Sequence, residues 1–263
     1  MSTQIVQISD THLFADQEQV LLGVPTRASF QLVVDDVKRR FAVADACMLT
    51  GDLSQDGSDL SYRSLREVVA PLSMPKYALP GNHDDTALMR TELGRNGISA
   101  AGEFTCGAWL VIMLNSVATD GHHGYLSNAE LQRLDTTLQQ HREQPCLIAL
   151  HHPVVPLGSA WIDGLRLRNS DVLFAVIDRH PQVRIVTWGH AHQEYTGRHK
   201  DITLLGSPST CVQFLPGEKN FATDSVHPGY RIFNLQDNGD FETQLHRIEE
   251  FPFAVDPTKN GYR

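Results

Sequence analysis

Short, almost wholly apolar runs punctuate this chain, and a polar cluster of Gly, Asp, Asn and His follows several of them at once. Residues 5–9, Ala46–Thr50, Lys76–Leu79, Cys146–Leu150 and Val183–Trp188 have the length and composition of buried strands. Amphipathic stretches separate them. In Ser29–Phe41 the residues Phe30, Val33, Val34, Val37 and Phe41 recur near helical spacing, which predicts a helix there. Further helices are predicted over Leu60–Val69, ended by Pro71 and Pro75, over 85–97, stopped by Gly97, and over Leu131–His141. Ser127 and Glu130 read as a capping box opening the last of these. Another helix is expected over Val172–Arg179, capped within Asn169–Asp171.

The texture elsewhere is different. Gly102–Cys106 and Trp109–Asn115 read as a β-hairpin turning at Gly107 and Ala108. Residues 14–28, 116–125 and 153–168 read as loops, and the last is long enough to be a lid or specificity wall. Beyond Trp188 the pattern is mostly β: Gln193–Arg198, Asp201–Gly206, Cys211–Phe214, Gly229–Leu235 and Phe241–Ile248, with a hairpin turn at Asp237–Gly239. The tail 251–263 is expected to be extended, ordered only by contact. With no repeat or linker in view, residues 1–263 are expected to form one domain, a layered α/β or α/β/β/α sandwich.

Open sheets gather ligands at the carboxyl ends of their strands. The polar clusters fall there: IVQISDTHL with Asp10 and His12, GDLSQDG at Gly51–Gly57, GNHDD at Gly81–Asp85, HHP at His151–Pro153 and GHAH at Gly189–His192. Strand alternation would aim Asp10 and His12 to one side. Mixed carboxylate, amide and imidazole donors suit Mn, Fe or Zn better than Ca or a thiolate zinc site.

Phosphate esters repel nucleophiles, and two ions about 3.5–4 Å apart overcome this by activating water and neutralising phosphoryl oxygens. Asp52, following a strand and Gly51, is the natural bridge. Asp10, His12 and His192 would supply one ion, and Asn82, His151 and His190 the other. His83 is a candidate to protonate the leaving alkoxide or hold a phosphoryl oxygen. Asp84 and Asp85 are candidates to orient His83 or, the favoured role, to cap the next helix. Asp56 is a candidate partner of a metal-binding histidine. Weaker candidates are Ser207–Thr210, His122, His123, Trp161, His227, Tyr230, Arg166 and Arg168, with residues 154–168 and 207–230 as the pocket wall.

Composition narrows the partners. The 263 residues are 41% hydrophobic and carry a formal charge of −9, which argues against a nucleic-acid polymer as substrate. Cys47, Cys106, Cys146 and Cys211 form no CxxC pair and read as buried free thiols. The N-terminus has neither the basic nor the apolar region of a signal peptide, and no run is long enough for a membrane span, so the cytoplasm is expected. Scattered apolar residues in 100–126 give a candidate homodimer face.

Taken together and in order, DTH, GDLSQDG, GNHD, HHP and GHAH resemble the signatures of the calcineurin-like metallophosphoesterase family. That resemblance implies a four-layer α/β/β/α sandwich around a dinuclear Fe, Mn or Zn centre. It carries Asp10, His12 and His192 over to the first metal, Asp52 to the bridge, Asn82, His151 and His190 to the second metal, and His83 to the catalytic histidine. Substrate would lie against His12, Asp52, Asn82, His83 and His192. Within the family, LIALHHPVVPLGSAWIDG and the ending SPSTCVQFLPG…HPGYRIFNL are similar to bacterial 3′,5′-cyclic AMP phosphodiesterases. Val154 stands where that resemblance expects a second proline. The implied reaction is hydrolysis of cyclic AMP to 5′-AMP. The alternative is a broader enzyme for glycerophosphodiesters or other small phosphodiesters.

Overall fold

A computed structural model describes residues 2–95, 97–100, 102–256 and 258. The chain begins with β1 (Ser2–Ile8), then a small ladder of β2 (Val20–Leu21) and β3 (Val24–Pro25), and α1 (Thr26–Arg40). It continues through β4 (Ala46–Thr50), α2 (Asp59–Val69), β5 (Lys76–Leu79), α3 (Thr86–Gly94) and β6 (Ile98–Ser99). The hairpin β7 (Glu103–Cys106) and β8 (Trp109–Met113) leads to α4 (Asn128–Gln140), β9 (Cys146–Ala149), α5 (Ala160–Asp163), α6 (Ser170–Ile177) and β10 (Val183–Trp188). The last part is strand-rich: β11 (Tyr195–His199), β12 (Ile202–Gly206), β13 (Gln213–Phe214), β14 (Thr223–Asp224), β15 (Gly229–Gln236) and β16 (Phe241–Arg247).

Two six-stranded sheets result, ordered β16-β15-β1-β4-β5-β6 and β11-β12-β10-β9-β8-β7. Each has a parallel centre; the first has an antiparallel edge on the β15–β16 side only, the second at both edges. In the first, β1, β4, β5 and β6 run parallel, and in the second β8, β9, β10 and β12 do. The fully buried β4 and β9 show why those runs lack alternation: both faces are covered.

The buried side chains separate into layers. Val6, Ile8, Cys47 and Leu49 meet Phe30, Val33, Leu65 and Met89 of the helices on one side. Ile5, Met48 and Phe233 of the first sheet meet Val111, Leu147 and Ile185 of the second. Ile148 and Val186 meet Leu134, Leu138 and Leu173 on the far side. This is the four-layer α/β/β/α arrangement expected. The loops add a cluster in which Leu21, Leu22, Val212 and Phe214 collect Phe251, Phe253 and Val255, so the tail is ordered by contact as far as Asp256, whose N–H donates to Leu22 O at 2.7 Å. The expectation for Pro257 and 259–263 lies outside the described residues.

Boundaries moved where turn chemistry was not recognised. The first helix starts at Thr26 rather than Ser29, behind Pro25, because Leu22 (φ 50°) and Gly23 (φ 84°) turn β2 into β3 within the supposed loop. The third helix stops at Gly94 rather than 97, and Asn96 lies outside the described residues. The four cysteines are free and buried. No helix among the described residues is long and apolar enough to cross a membrane. The apolar residues of the supposed dimer face are largely interior, including Leu110, Ile112 and Leu126, with Tyr125 the large one left exposed.

Candidate metal centre

β1, β4 and β5 of one sheet and β9 and β10 of the other end at one edge of the sandwich, and the polar clusters follow them there. Asp10 and His12 do not reach the site by strand alternation. β1 stops at Ile8, and both residues adopt left-handed backbone, φ 57° and 47°. Asp52 (φ 47°), His190 (φ 60°) and His192 (φ 48°) do the same. This conformation costs of order 1 kcal/mol per non-Gly residue, and its concentration here is strain held at a functional site. Backbone hydrogen bonds hold it: Asp10 N–H donates to Gly51 O at 3.0 Å, His12 N–H to Asp52 O at 2.9 Å and Leu13 N–H to Leu53 O at 3.1 Å. Two glycines allow the close approach. A Cβ on Gly81 would overlap Asp52 N and Oδ1, and one on Gly51 (φ 92°) would overlap His151 Nδ1.

The donors converge. Asp10, His12 and His192 each offer an atom within 4.8 Å of the others, as do Asp10, Asp52 and His151, and His12, Asp52 and His83. Asp52 is shared between sets: its Oδ2 lies 3.2 Å from His151 Nε2 and 3.9 Å from His12 Nε2. Carbonyl oxygens only accept, so Thr50 O at 3.0 Å, Val212 O at 2.8 Å and Gln55 Oε1 at 2.6 Å place a proton on Nδ1 of His151, His192 and His12 respectively. Nε2 of each is thereby turned to the site.

The consequence at His12 and His192 decides the fit. Their Nε2 atoms are 3.0 Å apart, two lone pairs facing each other in a buried place. Two imidazole nitrogens that each sit ~2.1 Å from a shared cation lie roughly 3.0–3.4 Å apart, so a cation held there would replace this repulsion with binding. Asn82 Oδ1 and His190 Nε2 are buried without a hydrogen-bond partner among the described residues. His190 Nδ1 lies 3.2 Å from His151 Nε2. The arrangement fits a pair of cations.

Electrostatics agree. Burial pushes the Asp52 carboxyl up, but the imidazoles of His151, His83 and His12 outweigh it and hold it well below the usual range. Burial likewise opposes ionisation of Asp10, and His192 and His151 bring its pKa below normal. Burial drives His12 down to about 3 and His190 well below its ordinary value. Burial also works against charging His151, yet Asp52 raises it to about 9. Anionic carboxylates and neutral imidazoles are the protonation states a cation requires; Asp10, Asp52, His12 and His190 are already in them, whereas His151 must give up a proton.

Of the other expected roles, helix capping by Asp85 holds and the rest differ. Asp85 caps α3, accepting from Ala87 N at 3.0 Å and Leu88 N at 2.9 Å. Asp84 neither caps nor orients the His83 ring. It is buried and accepts from Gly81 N, Leu53 N, Ser54 N and the Tyr62 hydroxyl, tying GDLS to GNHD, and burial followed by the nearby Asp52 raises its pKa to about 6. Asp56 touches no histidine; it accepts from Ala15 N and Ser58. Gln55 holds His12 instead, and its place in the polar loop after Asp52 was the one available signal. His152 lies beside His151 and His190, but its Nδ1 pairs with Ser116 Oγ at 2.8 Å and its Nε2 donates to His122 O at 3.2 Å, so it anchors a loop. Ser209 Oγ donates to Asp10 O at 2.8 Å, bracing the loop from beneath. Tyr230 donates to Asp36 at 2.7 Å and His227 to Ile248 O at 2.8 Å, both away from the cleft. Arg166 Nη1 donates to Asp163 O at 3.0 Å, Arg168 N–H to Gly124 O at 2.9 Å, and His123 pairs with Asp120 at 3.4 Å.

A cavity of about 280 Å³ opens over the donors, between Asp52, Asn82, His83, His190 and His192 on one side and Trp161, Ile162, Leu165, Phe214 and Phe221 on the other. The expected wall segments therefore do line it. His122 is exposed at the rim, its Nδ1 3.3 Å from Asn82 Nδ2. His83 is half-buried; its N–H donates to Asp52 Oδ1 at 2.9 Å and its ring lies 5.3 Å from that of His12.

This fold and donor set define a class. The chain belongs to the family described as Calcineurin-like phosphoesterase, whose sequence profile matches residues 3–194, and it is a metal-dependent phosphoesterase with a dinuclear donor arrangement. It is 41% identical over 254 residues to a 3′,5′-cyclic-nucleotide phosphodiesterase of a Nostoc species, covering 97% of this chain and 95% of that one. It is 40% identical over 262 residues to the 3′,5′-cyclic adenosine monophosphate phosphodiesterase CpdA of Vibrio vulnificus, covering 99% and 96%. A dimetal phosphatase from Danio rerio shares the fold at a TM-score of 0.62 and 16% identity, over 94% of this chain and 99% of that one.

Proposed function

We propose that this protein hydrolyses 3′,5′-cyclic AMP to 5′-AMP. The observation that carries the reading is 41% identity, over 97% of the chain, to a cyclic-nucleotide phosphodiesterase. In this reading Asp10, His12 and His192 hold one ion, Asn82, His151 and His190 the other, and Asp52 stands between them. When bound, two ions of Fe, Mn or Zn supply neutralisation of the phosphoryl oxygens and activation of the attacking water. The protein's own part is positional. Gln55, Thr50 and Val212 fix the imidazoles before substrate arrives, so little reorganisation remains for the reaction itself. The phosphate lies against His12, Asp52, Asn82, His83 and His192. Water attacks phosphorus in line with the bond to O3′; that bond breaks, His83 passes a proton to the departing oxygen, and a proton of the attacking water restores it.

The test couples metal analysis of anaerobically purified protein to turnover of cyclic AMP, cyclic GMP, glycerophosphocholine and bis-p-nitrophenyl phosphate. Cyclic AMP is expected to give the highest kcat/KM per occupied site. Faster turnover of the glycerol ester would replace this reading with the broader phosphodiesterase.

A further inference from the structure

The apolar side of the cleft is made by two segments that otherwise have little in common. One is α5 with its flanking loop, which brings Trp161. The other is the β13–β14 hairpin, which brings Phe214 and, near its tip, Phe221. A hydrogen bond from Gly217 N–H to Ser159 Oγ at 2.8 Å joins them. Their three rings pack edge to face: Trp161 to Phe214 at 5.0 Å, Trp161 to Phe221 at 5.2 Å, and Phe214 to Phe221 at 5.4 Å. This triad is continuous with the donor cluster, because Phe214 stacks on the His192 ring at 4.2 Å and 7°. An aromatic surface thus begins where the phosphate would sit and runs outward.

Two features set this surface apart from core packing. Phe221 remains 36% exposed at the cavity although large and apolar. Trp161 Nε1–H is buried without a partner among the described residues, whereas a tryptophan in a purely structural wall usually finds one. A simple phosphodiester such as a glycerol ester has nothing that needs three rings. A nucleobase does, because it presents a flat π-face and ring nitrogens that accept hydrogen bonds.

We infer that Trp161 and Phe221, backed by Phe214, form the platform on which the purine base of a cyclic nucleotide rests. The inference builds on the function proposed above and supplies the contacts that separate a nucleotide from other phosphodiesters at the same metal centre. Purines, with the larger face, are favoured over pyrimidines.

The test compares wild type, Trp161→Leu and Phe221→Ala on cyclic AMP and on a ribose 3′,5′-cyclic phosphate lacking the base. The ratio of kcat/KM for cyclic AMP to that for the base-free ester is expected to fall about tenfold or more in Trp161→Leu and about threefold or more in Phe221→Ala, mainly through KM for cyclic AMP. Phe221 is near an exposed hairpin tip, so its variant reports on the platform even if loss of Trp161 disturbs the loop cluster. An unchanged ratio in both variants overturns the platform while leaving the proposed activity standing. A wild type that cleaves the base-free ester but not cyclic AMP overturns both.

Discussion

The side chains on the floor of the cleft are held from every direction, whereas those on its wall hold mainly one another. Asp10, His12, Asp52, His151, His190 and His192 are buried. Each follows a parallel strand, and apart from His190 Nε2 their polar atoms are bonded to backbone or to a neighbour that fixes them. Trp161, Phe214 and Phe221 come from a short helix and a hairpin whose strands are two residues each, and they meet through ring edges. The floor accepts strained backbone to bring charges together. The wall is apolar and partly open. Groups that tolerate no displacement are built on the sheet ends, and under the reading proposed above selection among substrates falls to loops that can vary without disturbing them.

The sharpest way to break this division is at its centre. Asp52→Ala is expected to remove both ions and lower kcat/KM by about 10³-fold or more, read by metal content per chain and turnover. A variant that retained both ions would show that the shared position of Asp52 is not what assembles the pair. His83→Ala is expected to lower kcat by about 10²–10⁴-fold with metal content largely kept. Loss of metal with it would move His83 into the ligand set. Gln55→Leu removes only the acceptor for His12 Nδ1 and should weaken metal affinity about 10–100-fold, measured by competition with a chelator.

The smallest effect is on stability as pH changes. His151 in the metal-free protein is raised to about 9 by Asp52 against the cost of burial. A raised imidazole pKa stabilises the fold fully below the unfolded value near 6.5, and the contribution is lost as pH climbs through about 9. The urea midpoint of metal-free protein should therefore drift down between pH 7 and 9. Metal binding must displace the same proton, so apparent affinity should rise by up to about tenfold per unit over that window. A flat affinity profile would show that His151 is not among the donors.

Much of the floor was legible because each cluster directly follows a fully apolar run, and parallel strands send their ends to one edge. The strand layers and the free cysteines followed from the same burial. What misled was local geometry. Alternation suggested that Asp10 and His12 share a strand face, yet their left-handed backbone does that work. Asp84 resembled a helix cap because Asp85, beside it, is one. The carbonyls of Thr50 and Val212 that orient His151 and His192 have no signature at all, since every residue carries a carbonyl. The wall was placed only as segments, because contacts among Trp161, Phe214 and Phe221 depend on how two distant loops dock.

The donors are divided between the two sheets, and this has a consequence for how the protein comes into being. Asp10, His12, Asp52 and Asn82 leave the ribosome early; His151, His190 and His192 emerge only after another sixty-nine residues or more of chain. Until then a nascent chain carries only the donors that follow the first sheet's strands. The full donor set exists only once both sheets are made, so a cation held there would tie together halves of the polypeptide that were made at different times.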